Sequence, residues 1–189
     1  NFFPTRRELD CPFDIQADFL LDSDRTDLKN TDGPYNSWIF KQVGDAYEKA
    51  VDYYLDQHPP SDAFLDIPPT RVELEPYLDQ VREDMIDILR RRPCIPTRSD
   101  EWYSPDEVIV PKGDLEAYLS ESDLEQILDE IVHYPADSLT EKQLESLVRI
   151  GLLEEFSVEN LVEKGRGSQI YQEKSHKELL QLVALFNEL

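Results

Sequence analysis

Most side chains here that could do chemistry are carboxylates, and their abundance dilutes what any pair of them means. The 189 residues hold 41 Asp and Glu against 19 Lys and Arg, a formal net charge of -22. Carboxylates therefore fall close together by density alone, and such a pair does not mark general acid–base catalysis. One constellation is tighter: Asp22, Asp24 and Asp27 surround a lone cation, Arg25. The Asp22-x-Asp24 spacing matches the start of a calcium loop. Asp27, however, stands where that loop needs glycine, and no glutamate occupies its last ligand position. What is left at this turn is Arg25. Read from the residues alone, its guanidinium neutralises the three acids around it.

Other reactive types are scattered. His58, His133 and His176 are too far apart for metal-ligand spacing. Cys11 and Cys94 cannot frame a small disulfide scaffold, and two distant cysteines suit a reducing, intracellular compartment, with cytoplasm and nucleus unresolved. Gly165-Arg166-Gly167-Ser168 follows a helical run rather than a strand, so it reads as a flexible loop. No nucleophile elbow, zinc-protease HExxH, phosphate-binding GxxxxGK[ST] or dinucleotide glycine fingerprint occurs. Arg90-Arg91-Arg92 is the only basic cluster, and it closes a helix whose dipole accounts for it. The charge balance argues against nucleic acid and against an anionic membrane surface. No apolar run approaches the roughly 18 residues of a membrane span. The acidity fits a self-repelling surface or a basic protein partner.

The turn carrying Arg25 needs elements to hold it. Phe13, Ile15, Ala17, Phe19 and Leu21 alternate with Asp14, Gln16, Asp18 and Asp22, with Leu20 the exception, and this period of two predicts a half-buried strand. Residues 2–11 read as a short strand or irregular arm ahead of it. After the turn, Asn30 to Pro34 is a dense turn signal, and Pro34 suits the first turn of a helix. That helix carries a stripe of Tyr35, Trp38, Ile39, Val43, Ala46, Tyr47, Ala50, Val51, Tyr54 and Leu55 and ends near His58, before Pro59-Pro60. Phe13, Ile15, Ala17, Phe19, Trp38, Tyr47 and Val51 are expected to be buried together, strand against helix. A second helix is expected over about 73–92, with Tyr77, Leu78, Val81, Met85, Ile88 and Leu89 as its stripe.

Residues 93–111 read as a small β-hairpin or two-strand insertion, closing on Val108-Ile109-Val110. From Gly113 onward helices are expected, behind capping boxes at Ser122-x-x-Glu125, Thr140-x-x-Gln143 and Ser175-x-x-Glu178. Gly151 is placed at a helix C-terminus, and Ser157 at the start of another helix. The fold class is α+β: a small β-containing N-terminal part with a long helix, then a mostly helical C-terminal part with a hairpin insertion. In domain terms this divides into a strand–helix coupling part at 1–58, a Pro-rich linker at 59–72, and a mostly helical part at 73–189 with the hairpin at 93–111. The sequence opens on Asn1-Phe2-Phe3-Pro4 and closes inside a helical pattern, so both ends are read as cut from something longer.

Four blocks carry a resemblance. Phe3-Pro4-Thr5, Pro12 to Phe19, Ser23-Asp24-Arg25-x-Asp27-Leu28 and Tyr35-Asn36-Ser37-Trp38-Ile39 resemble the segment that follows the ATP-binding module in sacsin-like and plant no-vein-like proteins. Cys94-Ile95-Pro96-Thr97 with Trp102, Pro105 and Val108 is similar to the segment after that. Those proteins carry a GHKL-type ATPase module, the class of the ninety-kilodalton heat-shock chaperone and histidine kinases. The resemblance covers most of 3–57 and 93–111 and implies a coupling or regulatory segment that is not itself an enzyme. Its partner would be the preceding ATPase domain of the same chain. By this resemblance Arg25 reaches ATP, with its magnesium, held by that domain. The ATPase's own asparagine helix and aspartate-glycine motifs are absent here, so the chain by itself would hold no cofactor. The alternative is a stand-alone acidic protein-interaction module without nucleotide chemistry.

Overall fold

The computed structural model describes residues 13–24, 26–29, 33–66, 68 and 76–164. Its frame is α1, Pro34–Gln57. Pro34 opens the helix where an N–H would be unpaired anyway. His58 closes it in extended backbone, as a residue before proline prefers. α1 packs against α2, Pro76–Arg90, whose Leu78, Val81, Met85, Ile86, Ile88 and Leu89 are buried. The helices are also tied by charge: Arg92 Nε donates to Asp52 at 2.8 Å and its Nη2 to Glu48 at 2.6 Å. Of the Pro-rich stretch, Asp62–Asp66 forms a 3-10 turn that drives Phe64 into the core, fully buried between Tyr54 and Trp102.

β1, Ile95–Pro96, and β2, Trp102–Tyr103, form an antiparallel hairpin. Thr97 is buried at its turn and donates through Oγ1 to Glu101 O. β3, Ile109–Pro111, pairs in parallel with β4, Glu154–Phe156. Between them lie α3, Glu121–Leu128, and α4, Glu141–Arg149. α5, Val158–Lys164, follows β4. The fold class is α+β, as the sequence implies. The apolar side chains form two clusters. The larger joins Tyr47 and Val51 of α1 to Phe64, α2, the hairpin and α4. The smaller gathers Leu115, Leu119, Leu124, Ile127, Val132, Tyr134, Phe156 and Leu161.

Several local expectations hold. Thr140 and Gln143 form a reciprocal capping box on α4, Gly151 follows that helix with φ +71°, and Ser157 exchanges hydrogen bonds with Asn160 at the head of α5. Others shift. The box on α3 is Ser120 with Asp123, two residues ahead of Ser122-x-x-Glu125. α3 stops at Leu128, where Asp129 turns left-handed at φ 59°, and Ile131 is left 69% exposed beyond it. Residues 154–156 are a strand rather than loop or helix, because β3 needs a partner that the hairpin does not give it. The box at Ser175, Cys11, His176, Gly165–Ser168 and residues 2–11 lie outside the described residues.

The largest departure is at Phe13–Leu20. The segment has no regular structure, and among the described residues no strand pairs with it; the bridge from Leu21 to Leu28 is its nearest ladder contact. It lies along α1 instead, with Phe19 5.1 Å from Phe40 and Phe13 6.0 Å from Tyr47, centroid to centroid. Ile15 and Phe19 are half-buried, while Phe13 and Ala17 are exposed. Trp38, expected in the core, is 56% exposed, and Tyr35 is 43% exposed beside it. One helix face of this width meets both α2 and the 13–20 segment, and neither neighbour extends over the edge that carries Trp38.

Candidate functional site

The residues that resemble the ATPase-linked segment meet at the start of α1. Asn36 is the pin. It is 1% exposed, and its side chain makes three hydrogen bonds to backbone. Oδ1 accepts from Leu20 N at 2.9 Å, and Nδ2 donates to Leu20 O at 3.2 Å and to Lys29 O at 2.7 Å. A buried amide so satisfied fixes the two chain ends it touches. Those ends are the two legs of the loop that contains position 25. The legs also bond each other, Lys29 N to Leu20 O at 2.8 Å and Asp22 N to Asp27 O at 3.0 Å.

Inside the loop the acids cap backbone amides. Asp22 Oδ1 accepts from Thr26 N at 3.0 Å and Asp27 N at 3.2 Å. Asp24 Oδ1 accepts from Thr26 Oγ1 at 2.8 Å and Thr26 N at 3.2 Å. These bonds to Thr26, and then the neighbouring Asp22, hold the Asp24 carboxyl below the usual carboxylate range. Asp27 Oδ1 accepts from Leu28 N at 2.7 Å. The acid cluster is thus the internal scaffold of a turn, which is what Asx side chains do where no regular structure serves the backbone. Arg25, the one residue to which the sequence assigns chemistry, lies outside the described residues.

The second block of resemblance is brought to the far end of the same helix. Cys94, Ile95, Pro96 and Thr97 are all buried. Trp102 packs edge-on against Phe64 at 5.6 Å, and Phe64 lies 5.2 Å from Tyr54 of α1. Burial pushes the Cys94 thiol up to about 12, so at neutral pH it is a packed hydrophobe rather than a nucleophile. His58 stacks on Tyr54 at 4.3 Å, and His133 lies 3.6 Å from Tyr103. The arginine triplet divides its work: Arg90 donates to Gly151 O at 3.0 Å, Arg91 to Asp87 O at 3.0 Å, and Arg92 to α1. Arg98 sits over the Tyr134 ring and pairs with Asp137 and Glu116.

Sequence reasoning missed the role of Asn36. Its one signal is that asparagine is a poor helix former, here at the third position of the clearest helix. It also missed Arg82, whose side chain is buried on α2 while pairing with Asp79 at 2.9 Å. Among the described residues, no group of three or more His, Cys, Asp or Glu could hold a metal ion, and no helix is long and apolar enough to cross a membrane. The chain matches no protein-family model, no curated protein and no solved structure.

Proposed function

We propose that this chain is a non-catalytic coupling segment of a larger GHKL-type ATPase of the sacsin-like or no-vein-like kind. In this reading Arg25 approaches the terminal phosphate of the magnesium-bound ATP held by the preceding domain. One observation carries it: Asn36, in one resembling block at the start of α1, ties down Leu20 and Lys29, which flank two others at 12–19 and 23–28. An arginine acting on phosphate works by position and charge, so it needs a loop whose legs are already fixed. The chain itself carries no phosphate cradle and neither binds nor hydrolyses ATP alone. It acts inside the cell, through its own ATPase domain and protein partners.

The test is Arg25→Ala in two settings. In the parent ATPase, turnover per folded molecule should fall on the order of 10³-fold, the scale of a lost phosphate-directed arginine. The melting curve of residues 1–189 should hardly move. A destabilised fragment with unchanged parent turnover makes Arg25 structural and removes the reading. Stoichiometric, micromolar ATP binding to residues 1–189, seen by calorimetry, would also sink it. A second reading, a stand-alone acidic interaction module, is favoured by the bare aromatics on α1, Trp38 and Tyr53.

A further inference from the structure

The solvent side of α1 carries a feature separate from the loop at 20–29. Helical periodicity sets Trp38, Gln42, Ala46, Ala50 and Tyr53 along one stripe, about 22 Å long at about 1.5 Å per residue. All five are exposed, Tyr53 to 67%. The stripe forms one wall of a groove of about 770 Å³, and residues 13–17 form the other. Val43 and Tyr47 also line it. An apolar groove of this size, open among the described residues and edged with aromatics, is uncommon on a protein that works alone.

Its shape and charge define an occupant. Trp38 and Tyr53 stand at the two ends, and alanines lie between them. A second helix could therefore approach α1 closely at mid-length and be clasped at either end. Carboxylates border both sides. Asp14 and Asp18 lie on the 13–20 segment, and Asp45 and Asp56 lie on the outer edge of α1 with Lys49 between them; all are exposed. Asp52 is taken up by Arg92. We propose that this groove docks a basic amphipathic helix of a partner protein, about four turns long. Its apolar face lies on the stripe, and its lysines or arginines reach the two carboxylate borders. A second copy of this chain is a poor fit, since its charge of -22 would set acids against acids. The inference uses no residue of the 20–29 loop and stands whether or not the ATPase reading does.

The test uses the full chain and a fluorescein-labelled 18-residue peptide of leucine and lysine in amphipathic order, read by anisotropy at physiological salt. Micromolar binding is expected. It should weaken at least tenfold for a leucine–glutamate peptide of the same order, for the scrambled leucine–lysine peptide, and for the variant Ala46→Arg. Ala46 is exposed and arginine is a good helix former, so the melting curve should be unchanged. Gln126→Arg, the same charge change at an exposed site on α3, should bind as the parent does. Equal binding of the scrambled peptide would reduce the effect to bulk charge, and unchanged binding by Ala46→Arg would place it elsewhere; either overturns the proposal. So does a tenfold tighter affinity in Phe2→Ala/Phe3→Ala, which assigns the groove to the chain's own residues 1–12. A dimer abolished by Ala46→Arg would assign it to a second copy instead.

Discussion

Replacing Asn36 with alanine removes three hydrogen bonds at one stroke and leaves Leu20 N and Lys29 O to find other partners, while Leu20 O keeps its bond from Lys29 N. Each bond contributes about 1 kcal/mol net. Alanine returns roughly 0.5 kcal/mol as the better helix former, and water at the part-buried loop recovers some of the loss. The expected cost is about 2 kcal/mol. With a urea slope of about 1–3 kcal/mol per molar, the unfolding midpoint should fall by roughly 1 M. Hydrogen exchange locates the effect, because Leu20 N loses its acceptor and should exchange markedly faster. Asn36→Asp refines the test. It keeps the acceptor for Leu20 N but sets a carboxylate against two carbonyl oxygens. That repulsion and burial raise its folded pKa above the unfolded one, so the variant binds more protons folded than unfolded and gains stability as pH falls. A midpoint within about 0.2 M of the parent, with unchanged exchange at Leu20, would refute the idea that Asn36 holds the loop.

Phe64→Ala should cost about 3–5 kcal/mol, since a fully buried ring between Tyr54 and Trp102 leaves a cavity, and Trp102 fluorescence should shift with the chemical-denaturation midpoint. Arg92 holds the Asp52 carboxyl below its ordinary value of 3.8. Stability from the pair is therefore complete above that value and lost as pH falls through the lower folded one. Asp52 is 53% exposed, so screening limits the pair to under about 1 kcal/mol, and Asp52→Asn should be less sensitive than the parent to acid below about pH 4. In a Cys11→Ser variant, Cys94 should resist thiol reagents at pH 8 in the native state and react at the rate of unfolding; fast native labelling would contradict its burial.

Helices read well from the sequence because their signals are local. Pro34 and Pro59 bracket α1 to the residue, and Thr140 with Gln143 announces α4, since these act on the backbone beside them. Phe13–Leu20 read less well for the opposite reason. Alternation tells which faces differ, but a strand also needs a neighbour, and the neighbour here is a helix. Trp38 shows the same limit: the stripe of α1 is wider than the surface its partners cover, and spacing does not reveal where cover ends. β4 was hidden because Glu154-Glu155-Phe156 has no alternation long enough to register, and its partner lies far back at Ile109. For the candidate site, the acids were visible, but their use as amide caps depends on loop geometry, and Asn36 depends on two backbone legs distant in sequence.

The parallel pair β3–β4 has a consequence for cooperativity. Neighbouring residues of a strand face opposite ways, and here Val110 enters the larger apolar cluster while Ile109 packs on the smaller one. On the partner side, Leu152 and Leu153, just ahead of β4, belong to the first cluster, and Phe156 within it belongs to the second. These few residues are a party wall. Neither side can loosen without baring the back of the other, so the two clusters are expected to melt as one unit, with coincident denaturation curves by different probes. α3 and α4 lie between its two strands in sequence, so the pairing is a non-local contact of the kind that slows folding. A cavity opened at Leu124 of α3 should therefore speed hydrogen exchange in α2 as well.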